Sequence, residues 1–146
     1  AVRHGKWLSV LVIDVDHFAD YNDRLGPLAG DDCLRRIASV LSTVPSRASD
    51  IPCRYSGDRF ALVLPETDHE GARQLGERIR KVVRELRLAH PGRTPEPVVT
   101  ITVVAASVRP RRGNQLASFV GEAVDLLDMP ERGDGDVLLG LSVDDH

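Results

Sequence analysis

Apolar and polar positions alternate along this chain in blocks that can be read one after another. "WLSVLVID", ending at Asp14, is a short apolar run closing on an acid, the pattern of a buried strand. A short helix is expected from His17 to about Leu25, stopped at Gly26-Pro27. Asp31 and Asp32 then favour the N-terminus of a second helix, with Leu34, Ile37 and Leu41 at helical spacing and Pro45 as its end. "IPCRY" and "FALVLP" flank the polar centre Ser56-Gly57-Asp58-Arg59, which reads as a β-hairpin whose turn uses a positive φ at Gly57. From about His69 to Leu88 the residues Ala72, Leu75, Ile79, Val83 and Leu86 mark one face of a long amphipathic helix. "HPGRTPEP" is a loop and "VVTITVVAASV" a β-branched central strand. "PRRGNQ" is a second loop, residues 115–129 read as helix, and "DVLLGLSV" is a last strand. The predicted order is β-α-α-β-β-α-β-α-β, an α/β or α+β sandwich with helices on a mixed sheet.

Composition narrows the classes. At 146 residues the chain is expected to form one domain with its own core, and its 42% apolar and 28% charged shares are ordinary for a globular protein. A net charge of −3 gives no general nucleic-acid surface. No apolar run approaches the ~20 residues that cross a bilayer, so no membrane contact by this segment is expected. Cys33 and Cys53 have no metal spacing and read as two buried thiols in a reducing, cytoplasmic setting. Lys6 and Lys81 are the lysines, and the other 17 basic residues are arginines, so a single arginine carries little weight. Trp7 leads straight into a strand, which suggests an N-terminally trimmed domain.

Asp14 at a strand end and Asp58 at a turn are the candidate chemistry. If the strands are neighbours, the two carboxylates can hold a divalent ion, although acids at such positions are also commonly just solvated.

"DVDHFADYNDRLGPLAGDDCL" followed by "RYSGDRF" resembles the GGDEF domain of the diguanylate cyclase family. Asp14, Asp16, Phe18, Asn22, Asp23, Gly26, Gly30 and Asp31 fall at the spacings of its first signature, D-x-D-x-F-K-x-x-N-D-x-x-G-H-x-x-G-D. Arg54-Tyr55-Ser56-Gly57-Asp58-Arg59-Phe60 stands where the second, R-Y-G-G-D/E-E-F, is expected. The resemblance implies a nucleotidyl-cyclase or polymerase-palm-like fold and a family activity joining two GTP into cyclic di-GMP across a homodimer, with Mg²⁺. It also implies metal carboxylates at Asp14 and Asp58 and a guanine-reading pair at Asn22 and Asp31.

Against that pattern the phosphate side is dismantled. The family's lysine is Ala19, its later lysine falls on Pro130 and its arginine on Asp134, Ser56 replaces a glycine, and Arg59 replaces an acid. A cation beside a divalent ion at ~4 Å and an effective dielectric near 20 opposes it by several kcal/mol, although an exposed Arg59 can swing away. No residue of Ser56, Gly57, Asp58, Arg59 and Phe60 is then expected to be catalytically competent. Arg47-Ala48-Ser49-Asp50 matches the family's inhibitory R-x-x-D site, five residues before the motif, and Arg78 matches an assisting arginine. Arginine can fork onto guanine O6 and N7 while a carboxylate accepts from N1–H and N2–H. The expected function is therefore a silent GGDEF domain that binds cyclic di-GMP through Arg47, Asp50 and Arg78 in the bacterial cytoplasm, with no cofactor required. A low-activity cyclase using Mg²⁺, or a GTP-binding dimerisation module, are the alternatives.

Overall fold

The computed structural model describes residues 7–45, 53–93, 97–109 and 115–144. Its elements are β1 (Leu8–Val15), α1 (Phe18–Leu25), α2 (Pro27–Thr43), β2 (Cys53–Ser56), β3 (Arg59–Pro65), α3 (His69–Glu85), β4 (Ile101–Arg109), α4 (Gln115–Leu126), a single 3-10 turn (Pro130–Arg132) and β5 (Leu138–Asp144). The order agrees with the sequence expectation, and the one addition is the 3-10 turn.

Five strands form one mixed sheet in the order β2-β3-β1-β4-β5. β1 pairs antiparallel with both β3 and β4, and β5 joins β4 in parallel. A strand enclosed on both sides and both faces must be apolar throughout, which is why β1 and β4 read as continuous hydrophobic runs. Leu11, Ile13 and Val15 point into the larger core, against Ile37 and Leu41 of α2 and Ile79 and Val83 of α3. Val10 and Val12 point to the other face, where Phe119, Ala123 and Leu127 cover them.

Several local expectations need correcting. Pro27 does not merely stop α1; it is the first residue of α2, where its missing N–H costs nothing. Gly26, with φ of 91°, makes the corner between the two helices. Asp31 and Asp32 therefore sit in the second turn of α2 rather than at its N-terminus. Gly57 does not adopt a positive φ. The hairpin instead accommodates its turn with a register shift between Arg54 and Ser56. α3 ends at Glu85, three residues early, and its start is capped by Asp68, which accepts from Gly71 N–H at 2.8 Å. The helix expected over 115–129 ends at Leu126. Cys33 is a buried free thiol, its pKa pushed up to about 11 by burial and then by the charge of Asp32. The side chain of Cys53 lies outside the described residues.

Candidate functional site

Asp14 continues the row Val10–Val12 on the α4 face of β1. In register it stands opposite Arg59 of β3 on one side and Thr102 of β4 on the other. Directly paired residues share a face, so the sheet itself sets the Arg59 cation against the strand-end acid. Asp58 follows in the turn, and its backbone carbonyl accepts from Val15 N–H at 3.2 Å. The strands that carry Asp14 and Asp58 are neighbours, and the negative charge of Asp58 bears on the Asp14 carboxyl.

The charge balance differs from the one the sequence suggests. Arg132, from the 3-10 turn, donates through Nη1 to Asp14 Oδ2 at 2.5 Å and through Nη2 to Asp16 Oδ1 at 2.9 Å. Its Nη1 also reaches the Leu127 carbonyl at 3.2 Å. Arg59 is more distant, with Nε 3.7 Å from Asp14 Oδ2, and its Nη2 donates to Asp128 Oδ1 at 2.7 Å. At 20% side-chain exposure and fixed by two acids, Arg59 is not the exposed group, free to swing away, that the sequence suggests. Two guanidinium groups therefore face Asp14, and Arg132 is the nearer.

Asp16 is 1% exposed and fully occupied. Its Oδ1 accepts from Thr102 Oγ1 at 2.6 Å and from Arg132. Its Oδ2 accepts from Thr100 Oγ1 and the Asp136 backbone N–H, both at 2.7 Å. Four donors fill a carboxylate, so Asp16 is an anchor rather than an open ligand. Asp14 is less well served. Its Oδ1 is buried and receives no hydrogen bond. Burial raises the Asp14 pKa to about 6, the hydrogen bond from Arg132 pulls the other way, and the negative charge of Asp58 adds to the rise. On Arg132 burial disfavours the charge, but the hydrogen bonds to Asp16 and Asp14 outweigh it and the pKa is raised.

A magnesium ion needs oxygen ligands at about 2.1 Å and room for its waters. Asp14 Oδ2 is committed to Arg132, and all Asp16 oxygens are filled. An ion at Asp14 Oδ1 and Asp58 would sit beside two guanidinium charges. As arranged, these residues do not fit a divalent cation. Among the described residues no group of three or more His, Cys, Asp or Glu side chains is placed to hold one.

The other expected residues are placed as follows. Asn22 is half-buried on α1, and its Oδ1 lies so close to Gly30 that a Cβ there would collide with it. Gly30 precedes Asp31, which is exposed on α2, so the corner brings Asn22 and the Asp31 segment together. Ala19 is exposed on α1 and Pro130 opens the 3-10 turn. Asp134, where the resemblance leads us to expect the family's arginine, accepts from His17 Nε2 at 3.1 Å, and its carbonyl accepts from Arg93 Nη1 at 3.0 Å. His17 itself has a left-handed backbone. Arg78 is exposed on α3, whereas Arg47 and Asp50 lie outside the described residues. Also on α3, Arg80 Nη1 donates to Asp136 Oδ1 at 2.7 Å and Arg84 pairs with Oδ2. Through the Asp136 N–H this ties the helix to Asp16.

Sequence reasoning missed Arg132, Asp128 and the anchoring role of Asp16. Asp16 had a signal, since Asp-x-Asp at a strand end puts both acids on one face. Arg132 had a weaker one, an arginine two residues from each position where the family's basic pair is expected. Asp128 had none.

No helix among the described residues is long and apolar enough to cross a membrane. Residues 1–130 match the family model for the diguanylate cyclase GGDEF domain. The chain is 33% identical over 126 residues to the diguanylate cyclase VdcA of Vibrio cholerae, covering 86% of this chain and 37% of that protein. It spans well under half the length of the curated relatives it matches first. In three dimensions it is similar to the active GGEEF domain of a diguanylate cyclase from Vibrio cholerae, with a TM-score of 0.76, 26% identity, and 92% of this chain and 83% of that one covered. It is similar too to the GGDEF domain of DgcB from Caulobacter crescentus in complex with c-di-GMP, with a TM-score of 0.77, 26% identity, and coverage of 93% and 78%. The mixed sheet and the spaced first signature have one common explanation: the chain belongs to the GGDEF domain family, that of the diguanylate cyclases.

Proposed function

We propose that this domain is a catalytically silent GGDEF module that binds cyclic di-GMP as a receptor. One observation carries the silent half: Arg132 and Arg59 both face Asp14, and Arg132 joins it to Asp16. Joining two nucleotides requires charge stabilisation at phosphate, and losing a few kcal/mol of it costs ~10²–10³ in rate. The binding half rests on Arg47, Asp50 and exposed Arg78, on the guanine-matching chemistry of Arg and Asp, and on DgcB, a relative in complex with c-di-GMP. Asn22 and Asp31 retain the residue types that match a guanine edge, so residual GTP binding belongs to the same reading.

A second reading, a slow cyclase using Mg²⁺, is favoured by the relatives named as diguanylate cyclases. Two measurements separate them. Purified protein incubated with GTP and Mg²⁺ is expected to yield no cyclic di-GMP above a protein-free control by chromatography. Calorimetry with cyclic di-GMP is expected to show saturable binding that R47A abolishes. Robust synthesis sinks the silent reading. Absent cyclic di-GMP binding, or binding indifferent to R47A, sinks the receptor reading and leaves a GTP-binding or dimerisation module.

A further inference from the structure

Asp14, Asp16 and Asp58 gather at one end of the sheet, and the first two are 5% and 1% exposed. Carboxylates crowded out of water repel one another and need a bridging positive charge. The described chain supplies one. The Arg132 fork reaches Asp14 with one nitrogen, Nη1, and Asp16 with the other, and Nη1 also donates to the Leu127 carbonyl. A planar fork suits two acceptors held side by side, whereas a lysine ammonium acts as a point charge. Arg59 cannot do the same work, because it stands 3.7 Å from Asp14 and its Nη2 is engaged by Asp128.

We infer that Arg132 is a built-in substitute for a divalent cation: its guanidinium, spanning Asp14 and Asp16, holds this carboxylate end of the sheet together and closes it to metal. Asp16 retains its other three donors, so the bridge adds to an anchored carboxylate and does not replace its anchors. The inference deepens the reading of the site as silent. It does not depend on whether cyclic di-GMP binds, so a failed nucleotide titration leaves it standing.

The test uses Mn²⁺ as the probe, read as free ion by electron paramagnetic resonance and as a shift in thermal midpoint. Wild-type protein and D14N are expected to bind Mn²⁺ equally weakly and to show no stabilisation by it. R132Q is expected to melt about 10 °C lower, from the loss of a buried ion-pair partner. It should also bind Mn²⁺ at least ~10-fold more tightly than wild type, since a unit charge a few ångströms from the ion is removed. Mn²⁺ should restore part of its midpoint, and the D14N/R132Q double variant should lose that restoration. R59Q, which keeps Arg132, should gain little. Tighter Mn²⁺ binding by wild type than by D14N overturns the inference even if R132Q does not fold. A folded R132Q with no gain overturns it as well, as does an R59Q that gains as much as R132Q.

Discussion

Asp16 gathers four donors from three distant parts of the chain: two threonine hydroxyls of the β4 segment, a backbone N–H at Asp136 and the guanidinium of Arg132. Replacing it with asparagine keeps the shape but swaps one acceptor oxygen for a donor and removes the negative charge. The D16N variant should lose about 3–5 kcal/mol of stability, the range for breaking a buried, hydrogen-bonded ion pair, measured by urea unfolding. A loss below about 1 kcal/mol would mean that Asp16 is not the anchor described. At this scale the sequence reveals residue types but not partners. Asp14 and Asp58 are legible as neighbours because two strands meet in a hairpin-containing sheet. The hydroxyls on Asp16 come from 84 and 86 residues away and Arg132 from 116, across separations that no periodicity encodes. Emphasis on Arg59 over Arg132 follows from the same limit, since a motif names the residue inside it and not the one folded onto it.

At the scale of elements, helix periodicity makes α3 legible. Ala72, Ile79 and Val83 are fully buried, and Gly76 lies on the same face. Gly76 explains how closely the helix sits on the sheet. A Cβ there would stand 2.7 Å from Leu138 Cδ1 and 3.1 Å from Val103 Cγ1. Alanine improves helix propensity by about 1 kcal/mol, but overpacking a close interface costs about 1–3 kcal/mol. The second effect wins, and G76A should lower the unfolding free energy by roughly 1 kcal/mol. A more stable G76A would show that the interface has slack. Boundaries are less legible than faces. Pro27 reads equally well as the end of one helix or the first residue of the next, and only the corner geometry at Gly26 decides. The end of α3 carries no glycine or proline until Pro91, so its early close at Glu85, before the left-handed Arg87, has no local mark.

Across the whole molecule the order of elements is legible because the two enclosed strands are apolar on both faces and the helices on one. What joins the ends of the sheet is not. At the end away from Asp14, His69 Nδ1 lies 3.1 Å from Ser107 Oγ, which lies 2.7 Å from Ser9 Oγ, whose proton goes to the Thr67 carbonyl at 2.6 Å. Burial lowers the His69 pKa below 6.5, Arg73 lowers it further, and Glu70 and Asp68 oppose that. The unfolded chain then binds a proton more readily than the folded one. This group's contribution to stability is full above pH 6.5 and falls as the pH drops below it. Chemical denaturation between pH 7.5 and 5 should show a smaller loss in H69N, whose amide can still donate to Ser107. An unchanged slope would remove His69 from the account.

A positive charge carried on a side chain has a property that a dissolved ion lacks. Arg132 is covalently part of the chain that it neutralises, so its local concentration does not depend on the medium. No chelator can strip it away, and no dip in cellular magnesium can leave the acids bare. The arrangement of these acids is thereby uncoupled from ion supply.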